Sequence, residues 1–132
     1  MADHLSHARH NERACKHLLK AEDSFLDWVL TTAFYAAVHY VRHSLFPLER
    51  DGHTYASLVD YCYRTGRSES HMTVNHLVAE EMPSEVSGRY LRLYQLSRTA
   101  RYNEYRTPAS TCLSAVKDLE AIRSHCDPNG EA

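Results

Sequence analysis

Apolar residues recur every three or four positions along most of this chain, and most of the prolines and glycines fall between the recurring segments, a helical rather than a strand signature. From His4 to Lys20, Leu5, Ala8, Cys15, Leu18 and Leu19 stand on an otherwise strongly polar surface, which predicts an amphipathic helix that is peripheral in its first half. Ser24 with Asp27 resembles a capping box, and the helix it opens runs from Phe25 to Leu45, where Phe46-Pro47 stops it. Its small residues Ala33, Ala36 and Ala37 alternate with Phe34, Tyr35 and Tyr40. Small positions let another helix approach and large ones fill the gap, so this is the expected central helix. Leu48 to Thr54 reads as a loop. Tyr55, Leu58, Val59 and Cys62 then mark one face of a short helix ending at Gly66. A helix over 70–81 follows, with Val74, Leu77 and Val78 inward, and another over 84–103, with Val86, Tyr90, Leu93, Ser97 and Ala100 at core spacing. Thr107-Pro108 opens the last, in which Cys112, Val116, Leu119, Ile122 and Cys126 share a face. The expectation is an all-α helical bundle, one domain over 1–126 with a polar tail over 127–132.

Composition narrows the function classes. At 132 residues and a formal charge of -2, the chain suits one core and excludes a uniformly basic nucleic-acid coat, so anion binding must come from local clustering. The most apolar stretch, Trp28 to Val41, is shorter than the roughly 20 residues that span a bilayer, and the N-terminus lacks a basic start followed by an apolar run. No membrane and a cytoplasmic location are the expectations. Cys15, Cys62, Cys112 and Cys126 form no Cys-x-x-Cys pair and read as buried reduced thiols. No nucleophile elbow or glycine-rich phosphate loop is present, and no cofactor is expected. Glu80-Glu81 and Asp118-Glu120 read as ordinary exposed helix charges. Histidines His4, His7, His10 and His17 could share a helix face, yet they lack the further ligands of a zinc site, so a solvated polar face is expected and no metal. His39 and His43 read as hydrogen-bonded core histidines.

The strongest bias lies in Arg89 to Arg106, which holds five arginines and four tyrosines against one acid. Arginine forks grip phosphates through paired hydrogen bonds, and tyrosine rings stack on bases, so a helix carrying both suits RNA. Arg98, Arg101, Tyr102 and Tyr105 fall on one face of a regular helix, while Arg98 and Asn103 diverge by roughly 140° unless the helix end breaks or a second chain contributes. The alternative is a scaffold in which these arginines pair with acids of neighbouring helices and the tyrosines fill the core boundary.

The run Asp27-Trp-Val-Leu-Thr-Thr-Ala-Phe-Tyr-Ala-Ala-Val-His-Tyr-Val-Arg42, followed by Ser70-His71 and by Tyr94-Gln-Leu-Ser-Arg-Thr-Ala-Arg-Tyr102, resembles the small bacterial branch of the HEPN superfamily, over most of the chain. That resemblance implies a bundle of five to six helices that forms a homodimer, acts in toxin-antitoxin or defence systems, and can be a metal-independent ribonuclease. The family signature is an arginine, a short spacer and a histidine, with a tyrosine just beyond in one subgroup. Arg98, Asn103 and Tyr105 match it except that asparagine replaces histidine. RNA cleavage through the 2′-hydroxyl needs a titrating group, and losing one typically costs about a hundredfold to ten-thousandfold in rate. The resemblance therefore implies binding of RNA, a nucleotide or another phosphate-bearing partner at Arg98, Arg101, Tyr102 and Tyr105, with feeble or no cleavage. An antitoxin or nucleotidyltransferase partner belongs to the same expectation. An active endoribonuclease stays open through His71, which follows Arg64 at the family's loose spacing, although Gly66 between them suggests a turn.

Overall fold

The computed structural model describes residues 3–21, 25–103 and 105–130. The elements in chain order are α1 (His4–Lys20), α2 (Leu26–Leu45), β1 (Leu48–Arg50), β2 (His53–Tyr55), α3 (Leu58–Thr65), α4 (His71–Glu81), α5 (Ser84–Tyr102) and α6 (Ala109–Cys126). Among the described residues six helices thus form an all-α bundle that carries one small hairpin. Asp3, Ser57 and Ser70 cap α1, α3 and α4 by accepting backbone N–H bonds through their side chains. The capping box read at Ser24 lies outside the described residues; α2 begins behind Phe25 without a side-chain cap.

The expected loop over 48–54 is instead a hairpin, and Tyr55 belongs to its second strand rather than to a helix face. Asp51 (φ 52°) and Gly52 (φ 78°) occupy its two-residue turn, both with the positive φ that suits the right-handed twist of the strands. Tyr55 packs edge-on against Tyr61 of α3 with ring centres 5.0 Å apart, which closes the hairpin onto that helix. Val59, expected inward, is 54 % exposed. Gly66 ends α3 in the left-handed conformation (φ 76°) that glycine adopts without steric cost.

α2 is the hub and touches α1, α4, α5 and α6. Ala33, Ala36 and Ala37 are fully buried beside Phe34 and Tyr40, so neighbouring helices approach its backbone closely. What remains open is a narrow stripe including Trp28, Tyr35 and His43. α5 packs on both α2 and α6, with Tyr90 and Leu93 fully buried.

Two carboxylates lie inside this frame. Asp118, read from sequence as an exposed helix charge, has no solvent exposure: Arg89 Nη1 donates to its Oδ1 at 3.0 Å and Arg92 Nε to its Oδ2 at 2.7 Å, with Arg92 Nη2 also bonded to Oδ1. Glu12 is 5 % exposed and joins three helices, accepting from the Tyr40 hydroxyl at 2.6 Å, facing Lys16 Nζ at 3.0 Å and bonding the Arg123 guanidinium. The tail begins against α1, where Asp127 meets Arg9 at 3.0 Å.

Histidines join α1 to α2. The Nδ1 atoms of His4 and His39 lie 2.9 Å apart, and His7 stacks on His39 with ring centres separated by 4.9 Å. One neutral ring must therefore donate to the other. Burial, then the neighbouring His4, His7 and Arg42, lower the pKa of His39 to about 4. No helix among the described residues is long and apolar enough to cross a membrane.

Removing both cations from Asp118 strands a charge in the core, so Arg89→Ala with Arg92→Ala should cost about 3–5 kcal/mol in urea denaturation, whereas Arg98→Ala should change stability by less than about 0.5 kcal/mol. The histidine contact predicts acid sensitivity. Unfolded His39 takes a proton at its ordinary 6.5 and folded His39 only near 4, so its stabilising effect is complete above 6.5 and disappears as pH falls through that window. Thermal melting of His39→Gln should depend less steeply on pH across this range than the parent; parallel curves would remove the histidine contribution.

Candidate nucleic-acid interface

Side chains nine residues apart on a helix point in roughly opposite directions, since each residue turns about 100°. Arg89 and Arg98 stand in that relation, as do Arg92 and Arg101. The clamp on Asp118 therefore fixes the rotation of α5 so that its second pair of arginines flanks the far side of the core. The arginine-tyrosine segment is thereby divided: Arg89 and Arg92 follow the scaffold alternative, and Arg98 and Arg101 do not.

Among the described residues, Arg101 is held without a carboxylate. Its Nε bonds the Ser97 carbonyl at 3.3 Å, its Nη1 reaches the Tyr35 hydroxyl at 3.2 Å, and its guanidinium carbon lies 5.7 Å from the Tyr35 ring centre and 5.2 Å from that of Tyr102. Ring faces attract the cation without neutralising it. Arg98 is exposed, and among the described residues it has no hydrogen bond or ion pair.

α5 ends at Tyr102, and Asn103 caps it, its N–H still bonding the Thr99 carbonyl at 2.9 Å as the helix would continue. This end brings Asn103 to the same open hollow as Arg98, where Gln95, Thr99 and Tyr102 complete a lining around about 570 Å³. The divergence expected of a continuous helix does not prevent the two from sharing a surface in one protomer. Tyr105 departs from the expected row: it stands beyond α5 and, with Arg106, Phe25 and Trp28, lines a separate hollow of about 420 Å³. The Arg106 guanidinium lies 5.6 Å from the Tyr105 ring centre.

The surface is rich in uncovered rings. Tyr102 is 72 % exposed, Tyr105 66 %, Trp28 54 % and Phe25 52 %. Phe25, Trp28 and Tyr35 did not enter the sequence-derived site, because aromatic residues in a strongly apolar segment read as core. The seven-residue interval between Trp28 and Tyr35 is the available signal, as it places both on one stripe of α2.

His71 starts α4 with its ring 5.2 Å from Phe34 and 5.9 Å from Tyr94 of α5, measured between centres. Partial burial, then the positive charge of Arg101, lowers its pKa. Arg64, its sequence partner in the family-type spacing, is engaged elsewhere: it bonds the Thr54 carbonyl at 3.0 Å and Asp60 at 3.3 Å and lies over the Tyr55 ring. Tyr94, Arg98 and Arg101 share one flank of α5, so a titratable ring stands beside that flank through α4 rather than through the motif.

Other chemistry has less support. The four cysteines are free and buried, and burial raises the thiols of Cys15, Cys112 and Cys126 to about 11, far from a thiolate nucleophile at neutral pH. Among the described residues no three His, Cys, Asp or Glu side chains are grouped to hold a metal ion. Compared with known proteins, the chain matches no family model, and neither the curated proteins nor the solved structures give a significant match.

Proposed function

We propose that the C-terminal half of α5 binds RNA, as a HEPN-type domain whose ribonuclease site is degenerate. The observation that carries this reading is the pair Arg98 and Arg101, unmatched by any carboxylate among the described residues and set beside exposed Tyr102 and Tyr35. Guanidiniums supply phosphate contacts and rings supply stacking, the two requirements of single-stranded recognition. Asn103, at the same hollow as Arg98, offers a neutral hydrogen bond to a phosphate or a base edge. Pairing of two copies through the long helices, a toxin-antitoxin or defence setting and a cytoplasmic location belong to the same proposal and rest on the resemblance of residues 27–42 and 94–102.

Binding should weaken with salt. Each phosphate contact to a single strand contributes about 0.7 to the slope of log affinity against log salt, so Arg98→Ala with Arg101→Ala should lower that slope by about 1.4 and weaken retention of labelled RNA at least tenfold. Arg64→Ala, a tied arginine, serves as the control. Equal retention by all three proteins would dismiss the reading.

His71 favours a second reading, an active metal-independent endoribonuclease in which that ring moves the proton Asn103 cannot. Cleavage in the presence of chelator that His71→Ala abolishes while RNA retention persists would establish it. If the parent does not cleave and Asn103→His gains chelator-insensitive cleavage, the degenerate-site reading holds instead.

A further inference from the structure

A second cationic site lies away from α5, on the opposite side of the hub helix. Arg9, Glu12, Arg13 and Lys16 recur at three- and four-residue spacing along α1, so one face presents three cations around a single acid. α6 adds Arg123 and α2 adds Tyr40, and with the turn after α6 they line a hollow of about 590 Å³. That size is within the range of small-ligand sites.

Among the described residues the charges around the hollow do not cancel. Glu12 is occupied at its base: Tyr40 takes one carboxylate oxygen, and Lys16 and Arg123 take the other. Asp127 takes one nitrogen of Arg9. Four cations therefore meet two carboxylates among the described residues, in a chain whose formal charge is -2. Arg13 has no hydrogen bond or ion pair among the described residues. Arg9 and Lys16 keep donors beyond those their carboxylates use, because a guanidinium carries five N–H groups and an ammonium three.

We propose that this hollow binds a small molecule through a pyrophosphate-type group. Arg9 and Arg13, one helical turn apart, offer forks that bridge two neighbouring phosphoryl groups, and the excess of two positive charges among the described residues matches a compact polyanion better than a single carboxylate. Glu12 does not repel the ligand, since its oxygens are already matched by the hydroxyl, ammonium and guanidinium at the base. It sets those groups in place instead.

Inorganic pyrophosphate, titrated calorimetrically into the full chain at constant ionic strength, tests the site. Arg13 is exposed and holds no partner among the described residues, so Arg13→Ala leaves the fold intact while removing one fork. Saturable one-to-one binding that Arg13→Ala weakens about tenfold, and that Arg98→Ala with Arg101→Ala leaves unchanged, is the expected result. Absence of binding to the parent overturns the proposal, as does binding indifferent to Arg13 or binding abolished by the α5 variant. Failure here leaves RNA retention at α5 untouched, because the two surfaces share no residue.

Discussion

A carboxylate without solvent exposure cannot be left alone in a helical core, and Asp118 is such a group. Arg89 and Arg92 reach over from α5 to neutralise it, and three hydrogen bonds from two forks leave the helix one rotational setting. Turning α5 about its axis would withdraw those donors and expose the buried faces of Tyr90 and Leu93 at the same time. The clamp thus decides which arginines belong to the scaffold. It also decides, half a turn away, which ones stay outside it.

Glu12 does for α1, α2 and α6 what Asp118 does for α5 and α6. In both places an acid goes inside, its cations stand at the rim, and the rim keeps donors that the acid does not use. This explains how a chain with more acids than bases carries cationic surfaces. The total charge describes solubility and long-range behaviour, whereas local recognition depends on which carboxylates lie within reach of which guanidiniums.

The hub helix contributes to both surfaces. Small residues on most sides of α2 draw the other helices close, so its large side chains are either wholly buried, as Phe34 is, or confined to an uncovered stripe, as Trp28 and Tyr35 are. Tyr35 shows how the two classes meet: its hydroxyl accepts from Arg101, and its ring lies beneath the same guanidinium. Tyr40, one helical face away, donates to Glu12 at the other cationic surface.

Helical periodicity made the bundle legible in the sequence. α1 begins at His4 and ends at Lys20 as read, and Val74, Leu77 and Val78 face inward on α4, because burial of one stripe is a local consequence of spacing. The hairpin was hidden behind polar residues although Asp51-Gly52 is a strong turn signal, since two three-residue strands carry too little alternation to register. The bias toward arginine and tyrosine near the end of α5 was also visible in one dimension. What the chain alone did not disclose is pairing across helices: Asp118 and Glu120 read alike as exposed acids, and only packing made Asp118 a buried anchor and tied up Arg89 and Arg92 of the arginine-rich segment. The same packing left Arg98 and Arg101 without acids among the described residues, placed His71 beside Tyr94, and gathered Arg9, Arg13, Lys16 and Arg123 around one hollow. Spacing fixes which residues share a face of their own helix; which charge meets which depends on distances between helices, and these exist only once the core has closed.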